Sequence, residues 1–279
     1  MDAPHPAPSA APTSRFADRL AAAVAEAGAP LCVGLDPDPE RLPPAFAAGG
    51  AEGAVAFCEA VVEATAEHAA AFKPNLAFFE AYGPPGWDAL AAVCAVVRRA
   101  GRLLVLDGKR GDIGNTGRRY AAALYDVLGG DAATVAPYMG ADSVAPFLEH
   151  PGRCAFVLVA TSNPGAAGLQ ALDVGGEPLY RHAARVAAGA VPDEGGAVGF
   201  VVGATRPALL AGLRAEHPAV PFLVPGVGAQ GGSAAETLDA NAGGPILVNS
   251  SRGILYASSG PDFATAAADA AAELAGRLA

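Results

Sequence analysis

Eight short apolar runs, each closed by polar, glycine or proline residues, divide this chain of 279 residues at intervals filled by alanine-rich stretches. The runs are LCVGLD (31–36), AAFKPN (70–75), RLLVLDGK (102–109), ATVAPY (133–138), CAFVLVAT (154–161), VGFVVGAT (198–205), PFLVPGV (221–227) and PILVNSS (245–251). Several are continuously apolar rather than alternating, the pattern of parallel strands covered on both faces. Between them, residues 53–69, 87–100, 115–128 and 264–278 carry apolar positions at helical spacing. Strands alternating with helices predict an α/β chain, a single (β/α)8 TIM barrel over residues 15–279. An open doubly wound sheet is the competing architecture, because periodicity does not separate the two.

Composition then narrows the function classes. The net charge is −10, which disfavours nucleic acid as a partner, since phosphate backbones need clustered Lys and Arg. A small anionic ligand needs only a few placed cations and stays open. The 35 glycines and 24 prolines lack a three-residue period, so collagen is excluded. The opening MDAPHPAPSAAPTS has neither a basic nor an apolar targeting region, and predicts a disordered tail over 1–14. No run reaches the ~18 apolar residues of a membrane span, so no membrane partner is expected and a cytoplasmic location is. Cys32, Cys58, Cys94 and Cys154 lie far apart in apolar runs. That spacing suits buried free thiols of a reducing compartment, not a zinc site or a disulfide framework.

In a barrel of this kind chemistry sits at the C-terminal strand ends. The charged residues there are Asp36 after the first strand, Lys73 on the second, and Asp107 with Lys109 on the third, followed by Asp112. Side-chain alternation puts residues 107 and 109 on one face. An ion pair of purely structural use would explain Asp-Gly-Lys alone. The full string DGKRGDIGNT (107–116) is harder to explain so, because it packs two carboxylates and a lysine after an apolar strand. Downstream, PGVGAQGG (225–232) follows the seventh strand and NSSRGI (249–254) the eighth. Loops after those two strands commonly bind phosphate through glycine-exposed backbone N–H groups and a cation. Gln230 and Arg252 are the side chains that could grip it.

These motifs, with GLDPDPERLP (34–43), FKPNLAFFEAYG (72–83), LVLDGKRGDIGNT (104–116) and VATSNPGA (159–166), resemble the orotidine 5′-phosphate decarboxylase family in its longer bacterial variety, over about residues 29–256. The resemblance implies decarboxylation of orotidine 5′-monophosphate to UMP and CO2 with no cofactor and no metal. It implies a homodimer whose sites are shared across the interface. It also implies roles. Lys109 would stabilise the C6 carbanion and donate the proton, with Asp107 beside the substrate carboxylate. Lys73 and Asp36 would contact the ribose. Asp112, Ile113 and Thr116 would reach into the neighbouring subunit's site. Ser162 or Asn163 would meet the pyrimidine, and Pro225, Gln230 and Arg252 would hold the 5′-phosphate. The segment 163–176 and the loop near Gln230 are the expected lids. The alternative is a metal-dependent sugar-phosphate decarboxylase or an aldolase of the same barrel group. Those metal-dependent relatives place an acid where this chain has Lys73, and a lysine repels a cation. A Schiff-base aldolase wants a lysine of lowered pKa, whereas Lys109 is expected to lie between the carboxylates of Asp107 and Asp112.

Overall fold

In the computed structural model, which describes residues 14–192, 195–228 and 231–279, every apolar run forms a strand. They are β1 Leu31–Leu35, β2 Ala71–Pro74, β3 Leu103–Arg110, β4 Ala132–Val135, β5 Cys154–Ala160, β6 Ala197–Val202, β7 Phe222–Pro225 and β8 Ile246–Ser250. Each pairs in parallel with the next, and β8 pairs with β1, so the sheet closes into a barrel. Closure rules out the open sheet, which would end in two unpaired edge strands. The tail expected over 1–14 lies, apart from Ser14, outside the described residues.

The main helices are α1 Phe16–Ala27, α2 Gly50–Thr65, α3 Pro84–Arg99, α4 Gly114–Ala122, α5 Ala145–Leu148, α6 Leu179–Gly189, α7 Pro207–Glu216, α8 Ala234–Asn241 and α9 Phe263–Leu278. Two of the expected helices end early. The α2 helix stops at Thr65, whose hydroxyl donates to the Val61 carbonyl, and a 3₁₀ turn at Ala66–His68 leads into β2. The α4 helix widens into a π turn over Ala123–Val127. Helix α1 has no counterpart in the sequence reading. It caps the N-terminal end of the barrel, where Phe16 and Leu20 are fully buried and Phe16 packs edge-on against Phe156 with ring centroids 5.9 Å apart.

Strand alternation splits the core in two. Val33, Phe72, Leu104, Ala133, Val157, Phe200, Val224 and Val248 face the helices. Cys32, Ala71, Leu103, Val105, Ala132, Phe156, Val201, Leu223 and Leu247 fill the barrel interior. Counting upward in twos from the interior set leads to Asp36, Lys73, Asp107, Thr134 and Asn249. The interior is thus apolar below and polar at its mouth, and one register supplies both core and site. All four cysteines are buried and unpaired, and burial pushes the Cys32 thiol up to about 12.

Candidate active site

The C-terminal mouth opens into a cavity of about 300 Å³ whose wall includes Asp36, Lys73, Asp107, Lys109, Thr134 and Asn249. Leu158, Val201 and Leu223 form its apolar floor. Asp107 is the hub. Its Oδ2 accepts from Lys73 Nζ at 2.9 Å, and its Oδ1 accepts from Lys109 Nζ at 2.7 Å and from Thr134 Oγ1 at 2.8 Å. The Thr134 hydroxyl in turn accepts the Lys109 backbone N–H at 2.9 Å. Lys73 and Asp107 are almost wholly buried, whereas the Lys109 side chain is 51% exposed at the mouth.

Electrostatics keeps this cluster charged. Burial alone would push the Asp107 carboxyl up, but the adjacent Lys73 and Lys109 charges and their hydrogen bonds outweigh it and hold it well below the usual carboxylate range. Burial likewise opposes the charge on Lys73, and Asp107 and Asp36 override it, raising Lys73 above an ordinary lysine. Lys73 is therefore a fixed cation and a poor candidate for a Schiff-base nucleophile, which needs a free amine. Among the described residues there is no group of three or more His, Cys, Asp and Glu side chains able to hold a metal.

Lys109 reaches the cavity by a route that simple alternation does not describe. The β3–β4 register shifts between Leu106 and Arg110, and Lys109 has a left-handed φ of 46°. Such a backbone in a non-glycine residue costs about 1–3 kcal/mol and persists only where its surroundings impose it. Here the Thr134 hydroxyl on its N–H and the Asp107 carboxylate on its Nζ do so.

Asp112 corrects one expectation. Its Oδ1 accepts the Ile113 backbone N–H at 2.8 Å, and the ion pair of Lys109 among the described residues is with Asp107, so Lys109 does not lie between two carboxylates of its own chain. Asp112, Ile113 and Thr116 do not line their own cavity, and Ile113 is 53% exposed.

Next to the first cavity lies a cleft of about 90 Å³ walled by Pro225, Gly226, Val227, Ser250 and Arg252. Asp36, Pro225, Asn249 and Ser251 line both spaces, which makes them continuous. Arg252 is exposed at the start of the helical turn Arg252–Leu255. Gln230 lies outside the described residues. At two places only glycine permits the approach: a Cβ on Gly34 would sit 1.8 Å from Ser251 Oγ, and one on Gly203 2.8 Å from the Ser162 backbone nitrogen. Ser162 and Asn163 both line the larger cavity from the end of β5. The segment expected as a lid is folded, with a turn at Pro164–Ala166, a helical turn at Ala167–Gln170 and a bridge between Asp173 and Pro178.

Sequence reasoning missed Thr134, Asn249 and Tyr256. The first two continue the interior register and could have been found by counting in twos from Ala132 and Leu247. Tyr256 left no such signal. Its hydroxyl donates to the Asp36 carbonyl at 2.8 Å and accepts the Asp38 N–H at 2.7 Å, tying the β1 loop to the turn that carries Arg252. Burial pushes its phenol up to about 12, so the link stays protonated. The Oδ1 atoms of Asp36 and Asn249 are buried at the cavity wall without a hydrogen bond among the described residues, and both are acceptors that a bound hydroxyl or amide could satisfy.

Comparison with known proteins identifies the family. The "Orotidine 5'-phosphate decarboxylase / HUMPS family" matches residues 29–268. The chain is 48% identical over 248 residues to an orotidine 5′-phosphate decarboxylase of Roseiflexus castenholzii, covering 88% of this chain and 90% of the relative. Among solved structures, Leishmania donovani OMP decarboxylase is similar with a TM-score of 0.78 and 40% identity, covering 95% of this chain and 100% of that one. Leishmania donovani UMP synthase is similar with a TM-score of 0.81 and 44% identity over 94% of this chain, which spans 56% of that longer protein.

Proposed function

The chain belongs to the orotidine 5′-phosphate decarboxylase / HUMPS family, and from that premise we propose how its residues decarboxylate orotidine 5′-monophosphate to UMP and CO2. The observation that carries the assignment of roles is the Lys109 ammonium, held 2.7 Å from Asp107 at a mouth continuous with the Arg252 cleft. The phosphate lies against Arg252 and Pro225, the ribose against Asp36 and Lys73, and the base over the apolar floor. Breaking the C6–carboxylate bond releases CO2 and leaves the electron pair on C6, in the ring plane where the π-system cannot delocalise it. Lys109 is a cation already fixed where that charge appears, so it stabilises the transition state more than the ground state. Its Nζ then transfers a proton to C6. The half-exposed amine regains one from water. Asp107 orients Lys109 and sets a negative charge beside the substrate carboxylate, which favours its departure.

Binding at the phosphate, remote from C6, supplies free energy for orienting the ring. Arg252→Ala is expected to lower kcat/KM for the phosphorylated substrate by about 10²-fold, in keeping with the ~1.5–3 kcal/mol of a hydrogen bond to a charged group. Steady-state ultraviolet assays would read it, and unchanged kcat and KM would remove Arg252 from the site.

A homodimer that shares its sites is supported by the placement of Asp112, Ile113 and Thr116 outside their own cavity and by the exposure of the large side chains of Ile113, Tyr138 and Met139. In this arrangement Lys109→Ala and Asp112→Ala homodimers are each inactive. Mixing them restores up to about a quarter of wild-type activity, because one site in each exchanged dimer regains both residues. Activity that stays at the level of the separate variants after subunit exchange counts against a shared site. The four buried free thiols suit the cytoplasm, where such thiols stay reduced, and no helix of the described residues is long and apolar enough to cross a membrane.

A further inference from the structure

Gln170 closes the helical turn Ala167–Gln170 and reaches back to the end of β5. Its Oε1 accepts the Thr161 backbone N–H at 2.8 Å, and its Nε2 donates to Thr161 Oγ1 at 2.8 Å. A backbone N–H can only donate, so this amide has one possible orientation. With Gln170 donating to it, the Thr161 hydroxyl directs its own proton to Asn163 Oδ1, 2.7 Å away. The carbonyl oxygen of Asn163 is thereby engaged, and its two N–H donors have no acceptor among the described residues. Asn163 lines the catalytic cavity.

Barrel topology says which edge of a base this amide meets. Asp36 and Arg252 follow β1 and β8, Pro225 ends β7, and β5 lies across the closed ring from β1. With ribose and phosphate anchored on the first side, the edge of the pyrimidine remote from the sugar, C4 and its substituent, points towards β5. We propose that Gln170 is a positioning residue that sets the hydrogen-bond polarity of the base-reading edge: acting through Thr161, it turns the Asn163 amide nitrogen outward as a donor, which fits a 4-oxo pyrimidine and opposes a 4-amino one. This rests on the reading above that the loop after β5 meets the pyrimidine.

The test is the ratio of dissociation constants for UMP and CMP, measured by calorimetry on the wild type and three variants. The two ligands share ribose and phosphate and differ at C4, so a change in site charge weakens both alike and cancels in the ratio. Gln170→Glu preserves shape but offers two acceptors. The Thr161 hydroxyl then turns to the glutamate, Asn163 is released, and the preference for UMP falls by roughly tenfold, the scale of one hydrogen bond. Thr161→Val removes the relaying hydroxyl while keeping the backbone bond to Gln170, and produces the same fall. Asn163→Asp replaces the donor with an acceptor and shifts the preference towards CMP. If Gln170→Glu and Thr161→Val weaken UMP and CMP by equal factors while Asn163→Asp still shifts the ratio, the relay is overturned and the base-reading role of the loop stands. If Asn163→Asp leaves both affinities at wild-type values, the reading beneath the proposal fails as well.

Discussion

Lys109→Ala is expected to lower kcat for orotidine 5′-monophosphate by at least about 10⁴-fold while leaving UMP affinity within a few-fold of wild type. The size follows from what one ammonium contributes twice. A positioned proton donor is worth about 10²–10⁴, and a preorganised charge at a developing anion about 10²–10³. The two act in one step and do not simply multiply, so the lower bound is the firmer expectation. Binding is spared because Arg252, Asp36 and the apolar floor are untouched, and because the Lys109 side chain is 51% exposed and carries none of the buried core. The left-handed φ of 46° at position 109 costs alanine little more than lysine, so the fold persists. Single-turnover assays with a UMP titration on the same preparation would separate chemistry from binding. A variant that kept a tenth of wild-type kcat would show that another group protonates C6.

Asp107→Asn should damage both chemistry and stability. The amide keeps the shape of the carboxylate but leaves Lys73, almost wholly buried, without the anion 2.9 Å from its Nζ. Removing one partner of a buried pair typically costs about 3–5 kcal/mol, most of it from the charge left behind. For a chain of this length that corresponds to a fall in Tm of roughly 10 °C. The effect depends on pH in a defined direction. The Asp107 carboxyl is held below its ordinary range in the folded state, so its stabilisation is complete above the unfolded value of about 4 and fades as pH falls below it. Lys73 is raised, so its contribution is complete below about 10.4 and fades only as pH rises past that value. Wild type and variant should therefore differ most between about pH 4 and 10, and converge in acid. Thermal melts at pH 3, 7 and 9 would check this. A gap that did not narrow towards pH 3 would mean that the Asp107 charge is not what stabilises the cluster.

The strands were legible because burial leaves a local mark. LCVGL, CAFVLVA and the first three residues of ILVNS are largely covered on both faces, so they had to be apolar whatever lay around them. Asp36, Lys73, Asp107 and Lys109 were legible for the opposite reason, as charges at the ends of such runs in a chain only 16% charged. Thr134 was overlooked because one threonine in ATVAPY looks like ordinary strand composition, although it hydrogen-bonds to both the Asp107 carboxylate and the Lys109 backbone. Tyr256 and Gln170 were overlooked because their partners are remote or lie across a loop: Tyr256 bonds residues 218 and 220 positions away.

Residue order alone thus set the succession of strands and helices and the charged groups at the strand ends, because covered strands and costly charges each constrain residue type locally, whereas closure of the sheet into a barrel rests on the pairing of β8 with β1. Tertiary structure alone decided how those charges pair: that Lys109 enters through a left-handed residue at a register shift, that Asp107 binds both lysines, and that Asp112 stands apart from them. Hydrogen-bond partnership depends on distances of about 3 Å and on donor direction, and neither is written into the spacing of residues along a chain.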